Sequence, residues 1–159
     1  MESNLEINLA NLKINHIGYL YKDAEKQAKI MESHFKMPKF VFSEDLDHAV
    51  TYRGGDSKFS LKMGFSQCFS TQIEVYQWLG GECAYKEFIE AGKEGLHHVG
   101  VNVENMEEYI NEFQKQGIEV LMTGTFPPRL KFAYMDTEES FGIIIEFIEI
   151  IKRRRKKEK

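Results

Sequence analysis

His16-Ile17-Gly18 and His98-Val99-Gly100 repeat one pattern 82 positions apart. Each is followed by an amphipathic helix pattern and later by a short apolar run that carries one carboxylate. Those runs are Gln72-Ile73-Glu74-Val75 and Ile144-Ile145-Glu146-Phe147. Two imidazoles and two carboxylates form a donor set that suits a divalent metal. Taken singly, a strand histidine is more often a hydrogen-bonded structural residue, and a strand glutamate more often lies on a wet face. The recurrence of both types at matching places in two halves points instead to a shared site at His16, Glu74, His98 and Glu146.

The elements that would position these four follow from periodicity. Residues 13–20 read as a strand. Asp23 is placed to cap a helix to about Phe35, with Ala24, Ala28, Met31 and Phe35 on one face. Strand-like runs follow at Lys39–Ser43, Ala49–Arg53 and Lys58–Phe65, and another at Gln72–Trp78. Gly80-Gly81 breaks the pattern, and a short helix near Cys83–Ala91 links the halves. The second half begins with a strand at 97–103. Asn105 is placed to cap a helix whose face is Met106, Tyr109, Ile110 and Phe113, and Gly117 is placed to stop it. Strands at Ile118–Met122, Leu130–Met135 and Gly142–Ile148 follow, with Pro127-Pro128 in a loop. Each half reads as roughly β-α-β-β-β. The expected organisation is one domain over 1–159: a first module at 13–78, a linking helix at 79–94, a second module at 95–149 and a basic tail at 150–159.

Strand side chains alternate between two faces. Ile17 and Tyr19 oppose His16 and Gly18; Val99 and Val101 oppose His98 and Gly100. Ile73 and Val75 oppose Glu74, and Ile145 and Phe147 oppose Glu146. The apolar face must pack against helices, which leaves the His and Glu face for a cleft. Gly18 and Gly100 would keep that surface low, so that a ligand could lie against it. His97 falls with the apolar set and reads as structural or as a support to His98. His34 and His48 read as surface or loop residues.

The composition is that of an ordinary globular chain, 42% hydrophobic and 29% charged. Cys68 and Cys83 form no CxxC pair, which fits a reduced, cytoplasmic protein better than a disulfide framework. The first residues, Met1 to Glu6, lack a basic segment followed by an apolar run, and no stretch is long and apolar enough to span a bilayer. Net charge is -4, yet residues 152–159 hold seven bases and one acid, so the body is strongly acidic. A basic tail on an acidic body reads as a solvated end, and nucleic acid is not an expected partner.

The ordered motifs resemble the vicinal oxygen chelate superfamily, which includes glyoxalases, bleomycin-resistance proteins, dioxygenases and methylmalonyl-CoA epimerases. The motifs are Asn15-His16-Ile17-Gly18, Thr71-Gln72-Ile73-Glu74-Val75, Gly95-Leu96-His97-His98-Val99-Gly100, Lys131-Phe132-Ala133-Tyr134-Met135-Asp136 and Gly142-Ile143-Ile144-Ile145-Glu146. Gly95-Leu96-His97-His98 after a short linking helix most resembles methylmalonyl-CoA epimerases. The resemblance implies an α+β fold of two tandem βαβββ modules, with an eight-stranded curved sheet around a metal-binding cleft. It implies His16, Glu74, His98 and Glu146 as ligands to Co²⁺, Ni²⁺, Mn²⁺ or Zn²⁺, and a homodimer. Two features depart from the epimerase pattern. Glu74 stands where epimerases often carry Gln, as in glyoxalase I, and no Asp or Glu occurs from Lys58 through Gln72, where epimerases carry a catalytic carboxylate.

The chemistry implied is removal of a proton alpha to a carbonyl, with a metal stabilising the developing oxyanion and a carboxylate taking the proton. With the usual base absent, Glu74 or Glu146 is expected to serve as both ligand and base. The expected enzyme is a methylmalonyl-CoA epimerase, with a lactoylglutathione lyase as the alternative and a non-catalytic binding protein as a third class. A ring-opening dioxygenase is disfavoured, because a fourth protein ligand at Glu74 would crowd the oxygen position. Lys58, Lys62 and Arg129 read either as exposed charges on strand edges or as candidates to hold an anionic CoA thioester or glutathione adduct. Tyr76 shares the face of Glu74 and reads first as a core aromatic, with orienting a bound water or substrate as the alternative.

Overall fold

A computed structural model describes residues 8–153. Its strands are β1 (Ile14–Leu20), β2 (Val41–Tyr52), β3 (Gly55–Cys68), β4 (Thr71–Gly81), β5 (Gly95–Asn102), β6 (Val120–Phe126), β7 (Leu130–Met135) and β8 (Ile144–Ile150). Its helices are α1 (Ala24–Phe35), α2 (Ala84–Glu90), α3 (Met106–Lys115) and a single turn, α4 (Glu138–Phe141). Two βαβββ modules are thus joined through α2. Most of the basic tail, from residue 154, and residues 1–7 lie outside the described residues.

The strands run in the order β1-β4-β3-β2-β6-β7-β8-β5, and β5 returns to β1, so the curved sheet closes into a barrel. The two joints between modules differ. The β1–β5 joint is antiparallel and runs nearly the length of both strands, pairing His16 with Gly100 and Gly18 with His98. The β2–β6 seam is short: Val50 with Gly124, Thr51 with Thr123 and Tyr52 with Met122. Gly124 makes the seam passable, because a Cβ there would lie 2.6 Å from the Phe132 ring and 3.0 Å from Val50.

Strand alternation divides the core into three. Outward residues Ile17, Tyr19, Ile73 and Val75 pack under α1, against Ala24, Ala28 and Met31. Outward residues Val99, Val101, Ile145 and Phe147 pack under α3, against Met106, Tyr109, Ile110 and Phe113. The third cluster fills the barrel itself with Leu20, Phe59, Leu61, Met122, Phe132 and Tyr134, and α2 adds Tyr85 and Phe88. Each such side chain removed from water contributes about 1.5–3 kcal/mol, so filling the barrel outweighs any surface ion pair.

Local chemistry sets the helix ends. Asp23 caps α1 by accepting from the Lys26 amide at 3.0 Å, and Lys36 ends it in the left-handed region at φ 56°. Phe35 leaves the buried stripe and is largely exposed. Asn105 occupies the cap position of α3 without a capping side-chain bond; the Met106 amide instead donates to Glu149 at 2.8 Å. Gly117, at φ 82°, turns the chain after α3. The runs expected separately at Lys39–Ser43 and Ala49–Arg53 form the single strand β2. Its pairing with β3 slips between Asp45 and His48, where Asp47 is left-handed at φ 54°. That bulge breaks the apolar alternation in the sequence without ending the strand.

Candidate metal centre

The antiparallel β1–β5 joint sets each H-x-G motif against the other. His16 is level with Gly100, and His98 with Gly18. Each imidazole lies over the glycine of the opposite module: a Cβ on Gly100 would be 2.2 Å from His16 Cε1, and one on Gly18 would be 2.0 Å from His98 Cε1. The glycines therefore make room for the two rings, not for a ligand as the sequence suggests. β4 runs parallel to β1 and brings Glu74 beside Gly18, while β8 runs parallel to β5 and brings Glu146 beside Gly100. All four side chains face the barrel interior and are buried.

The ligand atoms converge. His16 Nε2 and His98 Nε2 are 3.1 Å apart. Glu146 Oε2 is 2.8 Å from the first and 3.5 Å from the second, and Glu74 Oε2 is 3.6 Å from His16 Nε2. His16, Glu74 and His98 each offer one ligand atom, all within 4.8 Å of one another. Glu146 Oε2 is buried, and His16 Nε2 is the nearer of its two imidazole neighbours.

The surroundings orient both rings. His16 Nδ1 lies 2.9 Å from Asn15 Oδ1, which orients the ring with Nε2 facing inward. His98 Nδ1 lies 2.9 Å from His97 Nδ1. Burial holds His97 neutral, pushing its pKa down to about 3. Burial also drives His98 well below the ordinary value, assisted by the charges of His97 and His16. Burial lowers His16 too, but the hydrogen bond and charge of Glu146 and the charge of Glu74 outweigh it, so its net pKa is raised. Glu146 is raised by burial, opposed by His16. Glu74 is clamped at both oxygens, by Gln72 Nε2 at 2.7 Å on Oε1 and by the Tyr76 hydroxyl on Oε2.

Two facing imidazole nitrogens, a clamped carboxylate and a second buried carboxylate oxygen fit a divalent cation. Nitrogen lone pairs 3.1 Å apart repel unless something positive lies near both.

Several expected residues sit elsewhere. His97 does not face outward with Val99: the β1–β5 register slips between Gly18 and Tyr19, and the bulge turns His97 inward among Tyr85, Phe88 and Tyr134. His48 is not a surface residue. Its side chain is 10% exposed, stacked among Phe59, Phe126 and Phe132, with Nδ1 2.7 Å from Asp45 Oδ2. His34 is exposed, as expected. Lys62 is engaged on the barrel exterior by Glu25 at 2.9 Å and Glu44 at 3.8 Å; Lys58 is exposed and Arg129 lies in the β6–β7 turn. None of these three cations lies among the quartet. The residues that sequence reasoning missed are Tyr85 and Tyr134, whose hydroxyls meet 2.7 Å apart, with Tyr134 Oη 3.3 Å from His98 Nε2. Tyr134 shares the parity of Phe132 on β7, which could have placed it inside; Tyr85 had no such signal.

A family model described as the glyoxalase/bleomycin resistance protein/dioxygenase superfamily matches residues 15–134. The chain belongs to this superfamily. Among solved structures, it is similar to a hypothetical protein from Bacillus halodurans at a TM-score of 0.66 and 21% identity, covering 91% of this chain and 99% of that one. It is also similar to methylmalonyl-CoA epimerase from Mycobacterium tuberculosis, at a TM-score of 0.61 and 14% identity, covering 87% and 88%. A methylmalonyl-CoA epimerase in complex with methylmalonyl-CoA and ammonium matches at 0.61 and 13%, covering 87% and 94%. At these identities the likeness is one of fold. No curated protein matches the sequence. The superfamily typically binds a divalent metal, in keeping with the donor set described above. No helix among the described residues is long and apolar enough to cross a membrane.

Proposed function

We propose that the protein is a metal-dependent isomerase that abstracts a proton alpha to a carbonyl, with methylmalonyl-CoA as its leading substrate. The single observation that carries this reading is the convergence of His16, His98, Glu74 and Glu146 at one buried point. In this reading the four are the ligands of a cobalt, nickel, manganese or zinc ion. Such a cation would supply Lewis-acid stabilisation of negative charge on the substrate carbonyl oxygen.

The chain's own residues would do the rest. Glu74, held at both oxygens by Gln72 and Tyr76, stays in place. Glu146 takes the proton: the C–H bond breaks, its electron pair moves into the carbonyl as an enolate, and the proton passes to the Glu146 carboxylate. A single water at the opposite face would deliver a proton there to give the epimer, and Glu146 would return its own proton to the hydroxide left behind. The buried walls, Tyr76 and Tyr134 among them, keep bulk water from the enolate. The CoA thioester class is inferred from the epimerase with bound methylmalonyl-CoA. We also infer a cytoplasmic homodimer, the two modules at 13–78 and 95–149 acting as one domain.

A glyoxalase I-like lyase is the second reading, favoured by Glu rather than Gln at position 74. Solvent deuterium exchange followed by mass spectrometry separates the two. Metal-dependent exchange into methylmalonyl-CoA is expected. Its absence, beside turnover of the glutathione–methylglyoxal hemithioacetal, would replace the first reading with the second. The variant Glu74→Gln should keep the metal and much of the turnover if Glu146 is the base. Retained metal with collapsed turnover would move the base to Glu74.

A further inference from the structure

The tyrosine pair behind His98 poses a hydrogen-bond accounting problem. Tyr85 and Tyr134 are both buried, and their hydroxyl oxygens are 2.7 Å apart. Two phenols carry two hydrogens, and the bond between them uses one. Among the described contacts, the other polar atom near the pair is His98 Nε2, 3.3 Å from Tyr134 Oη. His98 Nδ1 is engaged with His97, and Nε2 is its inward-facing nitrogen. In the arrangement that gives both phenol hydrogens an acceptor, Tyr85 donates to Tyr134 and Tyr134 donates to His98 Nε2. That arrangement holds only while the lone pair of Nε2 is available. Once it is committed to a cation, the Tyr134 hydrogen loses its acceptor inside a wall of aromatic rings. Phe132, Tyr76 and His97 surround the pair; the Tyr76 hydroxyl already binds Glu74, and the nearby Glu146 carboxylate is committed to the cation in this reading. A buried donor left unpaired is disfavoured, and an acceptor on the molecule held at the quartet would restore its bond.

We propose that Tyr134, oriented by Tyr85, donates a hydrogen bond to an oxygen atom of the small molecule held beside the quartet. The pair then selects ligands that present a carbonyl-type or hydroxamate-type oxygen over those that present nitrogen. This rests on the reading of the quartet as a cation site. It assigns the β7 strand and α2 a part in choosing the ligand, through two residues outside the His and Glu quartet.

The test uses the full chain titrated with Co²⁺ and then with two probes, acetohydroxamate and imidazole, followed by calorimetry. Acetohydroxamate offers oxygens with spare lone pairs, whereas an imidazole nitrogen engaged by a cation has none left. Tyr134→Phe should weaken acetohydroxamate by about tenfold, the scale of one hydrogen bond. It should leave imidazole affinity within about threefold and Co²⁺ affinity unchanged or higher, because no hydrogen bond to His98 has to be given up. Tyr85→Phe keeps the Tyr134 donor but loosens its aim, and should give the same selectivity change at a smaller factor; it also serves if Tyr134→Phe fails to fold. Unchanged acetohydroxamate affinity in both variants would overturn the proposal, as would equal loss of both probes. Failure of the wild-type chain to bind Co²⁺ at all would instead remove the cation reading, and this inference with it.

Discussion

Adding one methyl group at Gly100 should dismantle the centre from the opposite module. The backbone at Gly100 does not need glycine's conformational freedom, since its φ is not in the left-handed region. A Cβ there would lie 2.2 Å from His16 Cε1, 2.6 Å from Nδ1 and 2.7 Å from Nε2, against an ordinary contact of 3.4 Å or more. The His16 ring must therefore retreat until all three of its atoms regain that ordinary distance. Metal sites tolerate ligand displacements of about 0.2 Å, and the shortfall at Cε1 is several times larger, so His16 would cease to be a ligand. Loss of even a supporting contact costs about 10–100-fold in metal affinity, so Gly100→Ala should cost at least about 100-fold. Overpacking adds a stability loss of about 1–3 kcal/mol. Gly18→Ala should cost more. Its Cβ would come within 2.0 Å of His98 Cε1, and that ring is boxed in by Tyr76, Tyr134 and His97. Co²⁺ titration gives the affinities, and urea unfolding of the metal-free protein gives the stabilities. Affinity within about threefold of wild type in both variants would refute the packing of each ring on the opposite glycine.

His97 should make the metal-free fold acid-sensitive. Its folded pKa of about 3 lies below the ordinary value of 6.5, so the unfolded chain binds a proton that the native state refuses between those values. Stability from this residue is complete above pH about 6.5 and falls as the pH drops towards 3, by up to about 1.4 kcal/mol per pH unit. The pH slope of urea-unfolding free energy between pH 6 and 4, compared in wild type and His97→Phe, measures it; equal slopes would refute it. Asp23→Ala removes the cap on the Lys26 amide and should cost about 1 kcal/mol in the same assay, with no change in Co²⁺ affinity.

The candidate site is legible in the sequence because its geometry is written twice and locally. His and Gly two residues apart, and Glu flanked by apolar neighbours, fix a strand face without knowledge of what lies across it. The partner of that face is not legible. Gly18 reads as an open platform because the ring that covers it belongs to His98, in the other module. His97 and His48 depart from expectation for one shared reason: a bulge shifts parity by one residue, and the sequence does not announce where either register slip falls. The closure of the barrel depends on the pairing of Val50–Tyr52 with Met122–Gly124. That joint unites distant parts of the chain and has no local signature. The strand order within each module, by contrast, follows from the repeat and from the apolar faces that α1 and α3 must cover.

The central claim is that one divalent ion is held by two histidines and two glutamates contributed equally by the two modules. A crystal grown with Co²⁺ and measured at the cobalt absorption edge tests it without reference to any substrate. The expected result is one anomalous peak per chain inside the barrel, bonded to His16 Nε2, His98 Nε2 and a carboxylate oxygen from each of Glu74 and Glu146. A peak at any other residues, or no peak between these four, would contradict it.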